Sequence, residues 1–198
     1  MAVPVFLVFG AGSASAAILD LDLPWSTLIQ VSYAAITKPV LIAIPLFIFS
    51  GLAMLRGGIA NRLVNMATVL VGHWPGGLAI SMVLTMGFFA AFCGSILAAI
   101  TAVGTIMMPK MIEEGYPAPF VIVLAASAAL LEALIPPSNA AIVFSALTSV
   151  PVSKTFAAGI LPGLVLMVLL MALAVWRCRP RRMNRKASRA EIIDAVKA

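Results

Sequence analysis

Apolar residues fall in long runs, each closed by charge or by glycine and proline, with little alternation of polar positions inside them. Residues 3–19 form the first run, ended by Asp20 and Asp22, and residues 39–55 the second, ended by Arg56 and Gly57-Gly58. Between 59 and 71 the pattern changes. Arg62 and Asn65 interleave with Leu63, Val64, Met66, Leu70 and Val71, which predicts an amphipathic helix too short to span and suited to the membrane interface. Residues 77–112 are too long for one span and carry Cys93-Gly94-Ser95 near their middle. Each arm of about 16 residues would cover roughly 24 Å, short of the roughly 30 Å hydrocarbon core. The segment is therefore a tight pair of short spans or a re-entrant hairpin, and the hairpin is preferred. Residues 117–150 are interrupted by Ile135-Pro136-Pro137-Ser138-Asn139, and 156–176 form the last run. The prediction is an all-α integral membrane protein. It has about four spanning helices, one interfacial helix and a re-entrant helical hairpin.

Composition agrees with that pattern. The chain is 63% hydrophobic and 10% charged, against about 45–50% and about 25% in soluble domains. Seven of the thirteen basic residues are Arg177, Arg179, Arg181, Arg182, Arg185, Lys186 and Arg189, directly after the last run. Such a flank belongs on the cytoplasmic side. Tracing back from a cytoplasmic C-terminus puts Lys110, Arg56 and Arg62 inside as well, and Asp20 and Asp22 outside. Only Lys38 and Lys154 fall outside. The tail lacks aromatics for base stacking, so nucleic-acid binding is not expected. The first run contains Ala-Ser-Ala-like steps that resemble a signal-peptide cleavage site. It has no basic region before it, so it is read as a membrane helix. Residues 1–177 are assigned to a membrane transport domain and 178–198 to a basic cytoplasmic tail.

No Ser-His-Asp set, acid pair, phosphate loop or metal cluster appears with usable spacing, so the chain is not expected to be an enzyme. Cys93 and Cys178 are read as ordinary reduced cysteines, and His73 as an interfacial side chain. The informative features are two interruptions of helix at membrane depth. At Gly94-Ser95, glycine permits close backbone approach and serine adds a hydroxyl; Thr101 and Thr105 follow on one helical face. At Pro136-Pro137-Ser138-Asn139, two prolines remove amide donors and break the helix. Freed backbone carbonyls at that depth need protein, water or ions as partners. Taken singly, each interruption reads as a tight loop or a kink; together they favour solute transport, since broken helices in carriers bind ions and anionic groups. Glu132, one turn before the prolines, is the acid inside an apolar run, and such residues tend to face cavities or partners. It is weighed evenly as an ion- or proton-coupling group and as a neutral carboxyl at a protein contact.

The residues Ile44-Pro45-Leu46-Phe47-Ile48, Arg56-Gly57-Gly58-Ile59-Ala60 and Gly72-His73-Trp74-Pro75-Gly76-Gly77-Leu78-Ala79 open a more specific likeness. It continues through Phe89-Ala90-Ala91-Phe92-Cys93-Gly94-Ser95, Gly104-Thr105-Ile106-Met107-Met108-Pro109 and Gly115-Tyr116. It closes with Ile135-Pro136-Pro137-Ser138 and Ala158-Gly159-Ile160-Leu161-Pro162-Gly163. In order and spacing, over about residues 39 to 177, these resemble the large membrane subunit of TRAP transporters.

The resemblance implies half of an inverted-repeat secondary transporter of the bacterial inner membrane, working as an elevator. It would import organic acids such as C4-dicarboxylates with sodium. The implied partners are a periplasmic substrate-binding protein, a small membrane subunit and a second half of the large subunit, in a lipid bilayer. Gly94 and Ser95 then fall at the first hairpin tip and Pro136, Pro137 and Ser138 at the first broken helix. Na+ is the implied coupling ion at Ser95 and Ser138, with no other cofactor, and the basic tail becomes a link between halves. With Thr101, Glu132 and Asn139 these residues make up the expected ion or substrate site.

Two departures stand out. Many members carry an acid where Ala99 stands here and a small residue where Glu132 stands. Family members are also about twice this length, so the chain is expected to be a fragment, a split subunit or a remnant, unable to transport alone. The alternatives are another sodium- or proton-coupled anion permease, or a non-transporting membrane assembly subunit.

Overall fold

A computed structural model describes residues 5–19 and 24–178 of the chain. Within them the secondary structure is helical, and two compact units separate after Leu41. The first contains α1 (Val5–Leu19) and α2 (Trp25–Ile36). The apolar run at α1 forms a helix of 15 described residues, about 22 Å long and shorter than a full span. The basic cluster from Arg179 onward lies outside the described residues.

The second unit holds α3 (Ala43–Arg56), α4 (Ile59–Val71), α5 (Gly77–Cys93), α6 (Ile96–Ala99) and α7 (Thr105–Glu113). A π-helical segment, Ile100–Gly104, joins the last two. Then follow α8 (Ala118–Ala129), α9 (Leu131–Leu134), α10 (Asn139–Thr148) and α11 (Val152–Arg177). Among the described residues three helices are long and apolar enough to cross a membrane: Pro39–Arg56, Ile96–Glu113 and Val152–Arg177. A fourth crossing is possible if Ala118–Leu134 and Asn139–Thr148, bent by 42°, count as one broken span. This is the expected all-α membrane architecture, with one difference. The second arm of the hairpin is 18 residues long, because it continues unbroken through the π segment and past Pro109.

The core is organised around α5. This helix is apolar on every side, as a helix surrounded by others must be. Of its residues, only Leu84, Phe88, Ala91 and Phe92 are not fully buried. It packs against α3, α4, α8, α9 and α11 and, as the first arm of the hairpin, against α6 and α7. Its two buried hydroxyls are satisfied by nearby carbonyls: Ser81 donates to Gly77 at 2.8 Å and Thr85 to Ser81 at 2.7 Å. The amphipathic reading of α4 holds in the packing. Ala60, Val64 and Ala67 form its buried stripe, and Arg62 and Asn65 are exposed.

Candidate functional site

The broken helix begins where α9 ends. Ile135 turns to an extended conformation (φ −79°, ψ 126°), the Pro136-Pro137 bond is cis, and α10 starts at Asn139. Proline supplies no amide hydrogen, so the carbonyls one turn earlier lose their usual donors. Ser138 repairs part of this loss. Its hydroxyl donates to the Ala133 carbonyl at 2.8 Å and accepts from the Ala141 amide at 3.3 Å, so one side chain is bonded to both halves of the break. Ser138 is 1% exposed, and one hydroxyl lone pair stays uncommitted.

The hairpin tip comes to rest on this break. Gly94 has φ +61°, a left-handed conformation that favours glycine. A Cβ there would stand 2.5 Å from the Pro137 carbonyl oxygen, so glycine is required twice over. Across the contact the Asn139 amide donates to the Gly94 carbonyl, at a long 3.4 Å. Ser95 follows in extended conformation and makes no side-chain cap on α6. Gly51 of α3 supports the tip from another side: a Cβ there would meet Cys93 Sγ at 2.9 Å.

Glu132 completes the junction. It is 0% exposed, and its carboxylate lies close enough to Cys93 and to the Ser95 amide to interact electrostatically. The Ser95 amide nonetheless falls outside hydrogen-bond geometry, and neither carboxylate oxygen has a protein partner. Asn139 Oδ1 is likewise buried and unpartnered. The junction therefore gathers oxygen acceptors and supplies few donors. Chemically, that arrangement suits a proton or a small cation and does not suit an anion.

The structure thus brings together Gly94, Ser95, Glu132, Pro136, Pro137, Ser138 and Asn139. Thr101 is placed elsewhere. It is exposed on the π segment, its hydroxyl donates to Leu97 at 2.6 Å, and Thr105 donates to Thr101 at 2.5 Å. Gly159 and Gly163, part of the family likeness but given no place in the expected site, pack against the break. On α11 a Cβ at Gly159 would collide with the Leu134 carbonyl, and one at Gly163 would stand 3.0 Å from the Ile135 side chain. The signal was present as a Gly-x-x-x-Gly spacing, which lets helices approach closely in membranes.

Beside the break lies a cleft of about 630 Å³. Leu46, Phe47, Phe92, Pro136, Pro137 and Phe156 contribute to its walls. It is largely apolar and has no charged group to bind a carboxylate. His73, in the turn before α5, sits edge-on to Trp74 at a ring separation of 6.2 Å, away from these residues in sequence and in fold.

Apolar helices long enough to cross a membrane, with two interruptions seated on one another, define an all-α membrane protein. The chain belongs to the DctM component family of tripartite ATP-independent periplasmic transporters, whose family model matches residues 1–198. It is 42% identical over 161 residues to a C4-dicarboxylate TRAP transporter large permease protein of Pseudomonas aeruginosa, covering 80% of this chain and 38% of that protein. It is 40% identical over 148 residues to an ectoine/5-hydroxyectoine TRAP transporter large permease protein of Ruegeria pomeroyi, covering 75% and 35%. An isethionate TRAP transporter permease protein of Oleidesulfovibrio alaskensis is 34% identical over 179 residues, covering 90% and 28%. The chain therefore spans between about a quarter and two fifths of the length of these relatives.

Proposed function

We propose that this chain provides one half of a sodium-coupled, binding-protein-dependent permease that imports small organic acids across a bacterial inner membrane. The observation that carries the reading is the seating of the Gly94 carbonyl on the first amide of α10, with the Glu132 carboxylate unpaired beside it. Two chain interruptions that satisfy one another at membrane depth form a polar point inside an apolar body, which is where carriers place coupling ions.

In this reading Na+ is the coupling ion. Ser95 and Ser138 offer hydroxyl oxygen, and the carbonyls around Gly94 and Pro137 offer backbone oxygen. Glu132 contributes the negative charge, and Asn139 a further carbonyl. The relatives' names point to C4-dicarboxylates, a sulfonate and ectoine, so the substrate class proposed is a small organic acid. The acceptor-rich junction would hold the ion, and the acid would be bound with surfaces that the rest of a large permease supplies. A periplasmic binding protein and a small membrane subunit are the proposed partners, with residues 178–198 as a cytoplasmic basic segment.

The test is uptake of labelled succinate, isethionate or ectoine by cells expressing the chain with the flanking genes of its locus. Sodium-dependent accumulation that Glu132→Gln reduces by at least about tenfold, roughly 1.4 kcal/mol of coupling, is expected. Uptake with the same rate and ion dependence in the variant would remove Glu132 from coupling. Accumulation indifferent to sodium would end the sodium assignment.

A further inference from the structure

Glu132 is the buried carboxylate among the described residues, and its surroundings can be enumerated. Its helix, α9, packs against α5, α6, α8, α10 and α11. Of these, α5 carries one titratable group, Cys93, and α6, α8 and α10 carry none. The last, α11, carries Lys154 in its first turn and Arg177 in its last, and Lys154 is exposed. Among the described residues these helices therefore bring no cation to the carboxylate, and neither of its oxygens meets a protein hydrogen-bond partner. An ionised, unpaired carboxylate in such a place is poorly tolerated, so the junction is stable only when that charge is neutralised.

The contact it adjoins is a weak one. The tip is held to the break by the 3.4 Å bond from the Asn139 amide to the Gly94 carbonyl, and the Ser95 amide interacts with the Glu132 carboxyl at a geometry too poor for a full hydrogen bond. Cys93, the residue before the tip, is 0% exposed and close against Gly51. Small displacement of the tip would uncover this thiol.

We infer that neutralisation of Glu132, by a proton or by a monovalent cation, is what seats the hairpin tip on the broken helix, and that loss of the neutralising species releases the tip and exposes Cys93. The inference rests on the reading of this junction as the ion site. Its test follows the position of the tip and not uptake, so either can fail without the other.

The experiment uses the full chain with Cys178→Ser in membrane vesicles. The alkylation rate of Cys93 by N-ethylmaleimide is measured at about pH 6 and about pH 8.5, so that proton supply differs by more than two orders of magnitude. Each pH is run in sodium chloride and in choline chloride. An ionised Glu132 beside the thiol disfavours the thiolate and slows alkylation of the native chain, opposite in sign to the rise expected from release of the tip, so the readout is the ratio of native to Glu132→Gln rates under each condition. A neutral amide keeps the tip seated throughout. The ratio should lie near one at the lower pH and rise about tenfold or more at the higher pH in choline, as a shifted two-state equilibrium requires. If sodium returns the ratio to one at the higher pH, a cation is a neutralising species. If sodium changes nothing, the proton alone performs the role. A ratio of one in all four conditions would overturn the inference. Glu132→Ala, also uncharged, gives the same comparison should the glutamine variant fail to assemble.

Discussion

A hydroxyl that reaches across a gap in a helix has a different role from one that closes a turn on its own strand of backbone. Ser138 bonds to Ala133 on one side of the break and Ala141 on the other, whereas Thr101, Thr105 and Thr148 each return to a carbonyl of their own helix. Replacing Ser138 with alanine should leave one buried carbonyl and one amide short of a partner. The expected loss is about 1–3 kcal/mol of stability, read as a lower thermal unfolding midpoint of the purified chain in detergent. An unchanged midpoint would mean the break is held by packing alone. At this scale the sequence was informative about position and silent about partners. Gly94, Ser95 and Pro136 through Asn139 announce interruptions through their backbone chemistry. That Cys93 would lie against Gly51, and that Glu132 would face Ser95, depends on residues tens of positions apart.

At the scale of elements, close approach is arranged by small residues. Gly159 and Gly163 let α11 come against Leu134 and Ile135, where the broken helix loses its regular hydrogen bonds. A valine at position 159 would drive its side chain into the Leu134 carbonyl. The expected outcome for Gly159→Val is displacement of α9 from α11 with a loss of roughly 1–3 kcal/mol or more, seen as a lower melting temperature and faster proteolysis between α9 and α10. Native-like melting and cleavage would show that this contact is not required. The hairpin's second arm illustrates what periodicity conceals. Thr101 and Thr105 do share a face, as their spacing implies, but that face is the exposed one. The direction follows from burial of Ala99, Ala102, Val103 and Met107 against the core. The π turn at Ile100–Gly104 adds to this, since its extra residue per turn shifts the register of everything beyond it. Neither cause leaves a mark in the order of apolar and polar residues.

For the whole molecule, the class was legible from the start because a chain this apolar has no soluble solution to its burial problem. The helical architecture, the amphipathic α4 and the doubly interrupted body all follow from run lengths and breakers. The meeting of the two interruptions did not. It is a long-range contact, created when α5 is enclosed by its neighbours and its C-terminal end is delivered to Pro137 and Asn139. The proposed ion coupling stands or falls with that junction.

Cross-linking tests the junction most directly. With Cys93→Ser and Cys178→Ser as background, Ser95→Cys and Asn139→Cys are introduced together and treated in native membranes with a short bifunctional thiol reagent. The account predicts an intramolecular cross-link between hairpin tip and broken helix, detected by mass spectrometry of the linked peptides. Full modification of both cysteines with no linked peptide formed would place the tip away from the break and contradict it.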